Sequence, residues 1–185
     1  MTPDPLSFRR QHVSTIPTPI GVYALCDLDE VPIFVGKSTD GIQNRVRRHL
    51  TSARSDVIAN RQVDVWEVAY VWSWPVEAEE RGIIDDLEAH LFHFFHAQKI
   101  LLNGNIPHSV TFPTIRIPPV IKVQVMTDEE IAERKNPIRR LPRQAEHFRS
   151  LVDHILNVKN SPELRRSLAA HYERLSEYYH QFLEI

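Results

Sequence analysis

Two short β-rich runs, residues 20–25 and 31–35, flank the polar turn Asp27-Leu28-Asp29-Glu30, and that pattern predicts a β-hairpin. A helix is expected over 41–54, where Ile42, Val46, Leu50 and Ala53 fall on one 3.6-period stripe. Residues 36–41 between them read as a turn rich in helix-capping residues. The run 62–74 is apolar on both alternating faces, which suits a strand covered on both sides, ended by Pro75. A long helix follows over 76–97, with Glu77, Glu79 and Glu80 favouring its positive end.

Elsewhere the pattern is weaker. Residues 1–18, with Pro3, Pro5 and Pro17, read as an irregular lead-in with at most a turn of helix near 8–12. Prolines at 107, 113, 118 and 119 mark 101–119 as a surface-running closing segment, and 120–126 suits an edge strand. Residues 127–143 open with a capped acidic helix, then turn basic with Pro137 and Pro142 interposed, the composition of a linker. Helices are expected over 144–158 and 162–183. The second carries Leu164, Leu168, His171/Tyr172, Leu175, Tyr179 and Phe182 as a stripe that must be buried, either on its neighbour or on a second copy of the chain. The order of elements predicts an α/β fold: a small central β-sheet, hairpin plus third strand, flanked by helices. It would form one unit over 1–125 and a C-terminal helical extension over 126–185.

At 185 residues the chain suffices for one such domain with an appended element. Its formal charge of −2 means that any nucleic-acid surface must be a local basic patch. Cys26 is the single cysteine, so no internal disulfide forms and a reducing compartment is expected. The start MTPDPLSFRRQH lacks a signal-peptide pattern, and no apolar run approaches the roughly 20 residues of a membrane helix, so a cytoplasmic protein is expected.

Glu88 stands out, because Ile84, Leu91, Phe92 and Phe95 surround it on the helical wheel. An acid inside an apolar stripe needs a partner. Either an arginine pairs with it, or it serves as a hard oxygen ligand for a divalent metal. Arg45 and His49, four apart, share one edge of the basic helix, with Arg47 and Arg54 on the other. With Arg48 they make either a solvated face or a footprint for a phosphodiester backbone. Tyr23 inside a strand reads as core, and Lys37 just after one reads as solvated. Asp86, His90 and His93 share the face opposite Glu88; without an HExxH motif they read as a polar surface rather than a zinc site.

Taken together, Gly21-Val22-Tyr23, then Phe34-Val35-Gly36-Lys37-Ser38, then Arg45, Glu88 and Asn103 resemble the GIY-YIG nuclease family. The resemblance covers about half the chain, residues 19–105, and Arg45 with His49 four later is most similar to its restriction-endonuclease branch. It implies a divalent-metal-dependent endonuclease hydrolysing DNA, of restriction or repair type. Tyr23 would hold or deprotonate the attacking water, its phenolate made accessible by the surrounding cations. Arg45 would bind the scissile phosphate, and Glu88 would be the single protein ligand of Mg²⁺ or Mn²⁺. Lys37 and His49 would assist at the phosphate or in proton transfer, while Asn103 braces the site. Arg47, Arg48 and Arg54 would contact DNA, the basic run 135–149 would track the duplex, and the helical region 126–185 would serve for dimerisation or DNA contact. One departure bears on activity: Phe34 stands where the family usually has a second tyrosine. The alternative is a non-cleaving nucleic-acid-binding module on the same fold.

Overall fold

The computed structural model of the chain describes residues 4–52, 55–108 and 115–184. Its centre is a four-stranded antiparallel sheet in the order β2-β1-β3-β4. The hairpin supplies β1 (Gly21–Cys26) and β2 (Pro32–Ser38), while β3 (Tyr70–Pro75) pairs with β1 on its other side and β4 (Ile121–Gln124) forms the far edge. Alternation decides what each face meets. Tyr23, Leu25 and Ile33 pack with Ile42, Val46 and Leu50 of α2 (Ile42–Thr51). Val22, Ala24 and Val35 pack with Ile84, Leu87, Leu91 and Phe92 of the long helix on the opposite face. An α/β fold with helices on both sheet faces results.

Several expectations are corrected. The lead-in contains α1 (Pro5–Val13), because Asp4 accepts a hydrogen bond from the Ser7 amide and Pro5 occupies the first turn, where a proline costs nothing. The strand expected over 62–74 begins only at Tyr70. Before it, the Asp64 carboxylate accepts from the Trp66 amide and bends the chain into turns. The long helix is split into a 3₁₀ segment, Ala78–Ile83, and an α-helix, Ile84–His96. α3 (Asp56–Ala59) is a single extra turn after α2, and the long helix is therefore α4.

The linker is the largest revision. After α5 (Asp128–Lys135), capped by Thr127, the chain enters α6 (Pro137–Asn157) almost at once, with Asn136 as cap and Pro142 inside the helix. A proline there forfeits a backbone hydrogen bond, a cost of about 3 kcal/mol. The basic residues beside it compensate by facing inward. Arg140 donates to Glu67 and Asp29, while Arg143 donates to Asp64 and Glu67. These arginines therefore do not track a duplex.

α7 (Pro162–Leu183) is equally instructive. Its inward face is Leu164, Ser167, Ala170, His171, Arg174 and Tyr178, which keeps only Leu164 and His171 of the expected stripe. Leu164 and Leu168 do pack against Leu151 and Ile155 of α6, yet Tyr172, Tyr179 and Phe182 stay more than half exposed. Asp27 at the end of β1 is fully buried, and Arg174 answers it at 3.1 Å. That demand for a buried cation sets the helix's rotation. Among the described residues, no helix is long and apolar enough to cross a membrane.

Candidate active site

The site lies where β2 leaves the sheet's outer edge. Lys37 belongs to β2 rather than to a following turn. Two residues past Val35, it points to the same face and meets α4, with its ammonium 2.9 Å from both Asp85 and Glu88. Tyr23 points to the opposite face, toward α2. Its partner in register across the hairpin is Gly36, and a Cβ there would lie 2.6 Å from the Tyr23 hydroxyl and 2.9 Å from the ring carbon bearing it. Only hydrogen fits beneath the phenol. Gly36→Ala is accordingly expected to cost about 1–3 kcal/mol through overpacking and to displace the Tyr23 hydroxyl; urea denaturation of the variant beside wild type measures the first.

The Asn103 side chain closes the exposed edge of β2. It donates to the Val35 carbonyl at 2.6 Å and accepts from the Val35 amide at 3.0 Å, as a strand neighbour would. The Leu102 amide donates to Ile33 one step earlier. Asn103 thus braces β2 directly beside Gly36 and Lys37.

These elements enclose a cleft of about 550 Å³ lined by Tyr23, Phe34, Lys37, Arg45, Glu88 and Asn103. Arg45 is loosely held, its ion pair with Asp56 being at 3.9 Å. Arg47 and Arg48 do not line the cleft. The first donates to Asn44, the second pairs with Asp40 at 3.0 Å, and both lie on the exposed side of α2. Arg54 lies outside the described residues. The opposite wall includes Lys159, Ser161 and Glu163 at the α6–α7 turn. Gly104 permits that approach, since a Cβ there would lie 2.8 Å from the Cβ of Glu163, and Arg166 donates to the Gly104 carbonyl at 2.7 Å. Nothing in the sequence pattern pointed to this contribution from the C-terminal helices.

His49 is placed differently from the sequence expectation. It is buried behind Tyr23 rather than ranged beside Arg45 on an edge, with Nε2 2.7 Å from the phenolic oxygen and Nδ1 2.6 Å from Ser55 Oγ. Burial, reinforced by the Arg45 charge, pulls its pKa from 6.5 down to about 4, so the imidazole is neutral at physiological pH. The same burial raises the Tyr23 phenol above its ordinary value, and the Arg45 charge and hydrogen bond oppose this without reversing it. A free phenolate is therefore not the resting form. Hydrogen bonds to Asp85 and Glu88 raise the pKa of Lys37, which stays an ammonium. Phe34 sets its ring edge against His49, at 5.9 Å between centroids.

The depressed His49 makes a stability prediction. Between pH 6.5 and about 4 the unfolded chain binds a proton that the native imidazole refuses. Stability falls as pH drops through that window, by about 3 kcal/mol at most from this group. Thermal unfolding of His49→Gln across this range is expected to fall less steeply than that of wild type.

Among the described residues, no group of three or more His, Cys, Asp or Glu side chains is arranged to hold a metal. His93 lies 3.1 Å from the Pro107 carbonyl, a bond that holds α4 to the closing segment. Glu88 fits a single-carboxylate Mg²⁺ site, because such ions keep several waters and take one or two carboxylates plus substrate phosphate oxygens. It lines the cleft, and with Asp85 it already draws one cation, the Lys37 ammonium, to this spot. Compared with known proteins, the chain matches no family model, no curated protein and no solved structure.

Proposed function

We propose that the chain is a divalent-metal-dependent endonuclease that hydrolyses DNA phosphodiester bonds in restriction or repair, with the GIY-YIG chemistry that its motifs resemble. The observation carrying this reading is that Tyr23, Lys37, Arg45, Glu88 and Asn103, scattered over eighty residues, line one cleft. A phosphodiester needs a cation on its nonbridging oxygens, a placed water and an acceptor for that water's proton.

The chain's own groups fill these parts. Arg45, with a planar fork and an ion pair to Asp56 no closer than 3.9 Å, takes the scissile phosphate. Tyr23 orients the water. Its oxygen accepts the water's proton while its own proton passes to His49 Nε2, so no free phenolate forms. As the water oxygen bonds to phosphorus, the phosphorus–oxygen bond to the leaving sugar breaks, that oxygen takes a proton from solvent, and His49 then returns its proton through Tyr23 to solvent in the cleft. Glu88 would hold Mg²⁺ or Mn²⁺, which supplies charge neutralisation on the phosphate. Each chain has one such cleft, so cutting both strands requires two copies or sequential nicking.

Phe34 favours a second reading, a binding module of the same fold, because the cleft holds one phenol where two are usual in the resembled family. Incubating wild-type protein with supercoiled plasmid separates the two. The nuclease reading expects Mg²⁺-dependent nicking that EDTA stops. Retained DNA without nicking across Mg²⁺ and Mn²⁺ supports the module.

A further inference from the structure

Resting on that reading of Tyr23 as proton acceptor for the water, we infer that Ser55 is a positioning residue: it fixes His49 in the tautomer that takes a proton from Tyr23 instead of giving one. The sequence holds no signal for this, since Ser55 lies in a short connection beyond the basic helix. Two independent observations carry it.

The first is the geometry of a buried chain of three groups. Tyr23 is 1% exposed, His49 1% and Ser55 6%, with separations of 2.7 and 2.6 Å. Two proton arrangements satisfy those distances. In one, Tyr23 donates to Nε2 and the Nδ1–H donates to Ser55. In the other, Ser55 donates to Nδ1 and the Nε2–H donates to Tyr23. Arg45 is a donor only and cannot take the phenol's proton. In the second arrangement the phenol accepts from His49, leaving its own proton in a buried setting with no acceptor among the described residues. The first arrangement gives that proton to His49 and leaves one phenolic lone pair toward the cleft, where a water can be held. Ser55, at 6% exposed, is the less enclosed of the two hydroxyls.

The second observation is what Ser55 does not do. It occupies the N-cap of α3 in the extended conformation suited to capping, yet its side chain makes no capping hydrogen bond. Asp4, Thr127, Asn136 and Ser161, in the same position on their helices, all do. The Ser55 oxygen is turned away from its own helix and onto the imidazole.

Long-range proton–nitrogen NMR of protein labelled at histidine nitrogens tests this without catalysis, with His49 assigned by its loss in His49→Gln. In wild type, Nδ1 is expected to carry the proton and Nε2 to be bare. Ser55→Thr keeps that pattern, and Ser55→Ala shifts it toward a mixture of tautomers. Ser55→Cys, a weak acceptor of similar size, serves if the alanine variant does not fold. A proton on Nε2 in wild type, or an unchanged pattern in the alanine or cysteine variant, overturns the assignment. With Mg²⁺ and plasmid, Ser55→Ala is expected to lower kcat about 10–100-fold, as loss of an orienting outer partner does elsewhere, with KM unchanged and activity restored in Ser55→Thr. If wild type does not nick DNA, the nuclease reading fails while the NMR result still decides the role of Ser55.

Discussion

Glu88→Gln is expected to reduce Mg²⁺-dependent nicking by at least about 10³-fold, since a metal's contribution to phosphate charge neutralisation is several kcal/mol and each 1.36 kcal/mol is tenfold in rate. Glutamine keeps the shape of the side chain and its place on α4 but removes the anionic oxygen. Lys37 retains Asp85 at 2.9 Å, so no buried cation is stranded and the helix keeps its packing on Val22, Val35 and Trp74. On the proposed reading DNA is gripped by Arg45 and the basic helix rather than by Glu88, so DNA binding should change by no more than a few-fold. Titration of Mn²⁺ against both proteins gives a second readout, with the variant losing the site. A loss of less than tenfold in nicking would mean that Glu88 is only the ionic partner of Lys37.

The other large effect concerns stability. Arg140→Ala is expected to cost about 3–5 kcal/mol, the range found when one member of a buried ion pair is removed. Arg140 lies over the Tyr178 ring at 3.7 Å and donates to Glu67 at 2.5 Å. Glu67 is 4% exposed, and burial already pushes its pKa upward. Without Arg140 it keeps Arg143 and Gln144 but loses its most buried cation. Chemical denaturation should show a lower midpoint with the slope little changed. An Arg140→Ala midpoint equal to wild type would mean that Arg140 contributes nothing net to holding α6 and α7 on the sheet.

What the sequence disclosed, and what it hid, follows one physical line. The hairpin, α2 and α4 were legible because their apolar periodicity reports burial directly. The convergence of Tyr23, Arg45 and Glu88 was legible only through the order of motifs, since no local pattern says which helix faces which strand edge. Features whose burial is polar were hidden. Arg140 and Arg143 read as part of a basic linker along DNA, and Arg174 stands out in no pattern, yet they meet Glu67, Asp64 and Asp27 from more than seventy residues away. The same partners turn α7 away from its apolar stripe and make a helix of the residues expected to link domains. His49 was found as a residue but not as a contact, because its partners, Tyr23 and Ser55, belong to a strand and to a short turn. Asp85 carried a usable signal: it stands three residues before Glu88, on the helix edge that reaches Lys37.

The most direct measurement is a crystal structure of Tyr23→Phe, which keeps the ring and removes the hydroxyl, grown with Mn²⁺ and a DNA oligonucleotide. The account predicts an anomalous manganese peak at the Glu88 carboxylate, with a backbone phosphate between it and Arg45. Manganese elsewhere, or DNA laid along Arg47 and Arg48 with no phosphate in the cleft, would contradict it.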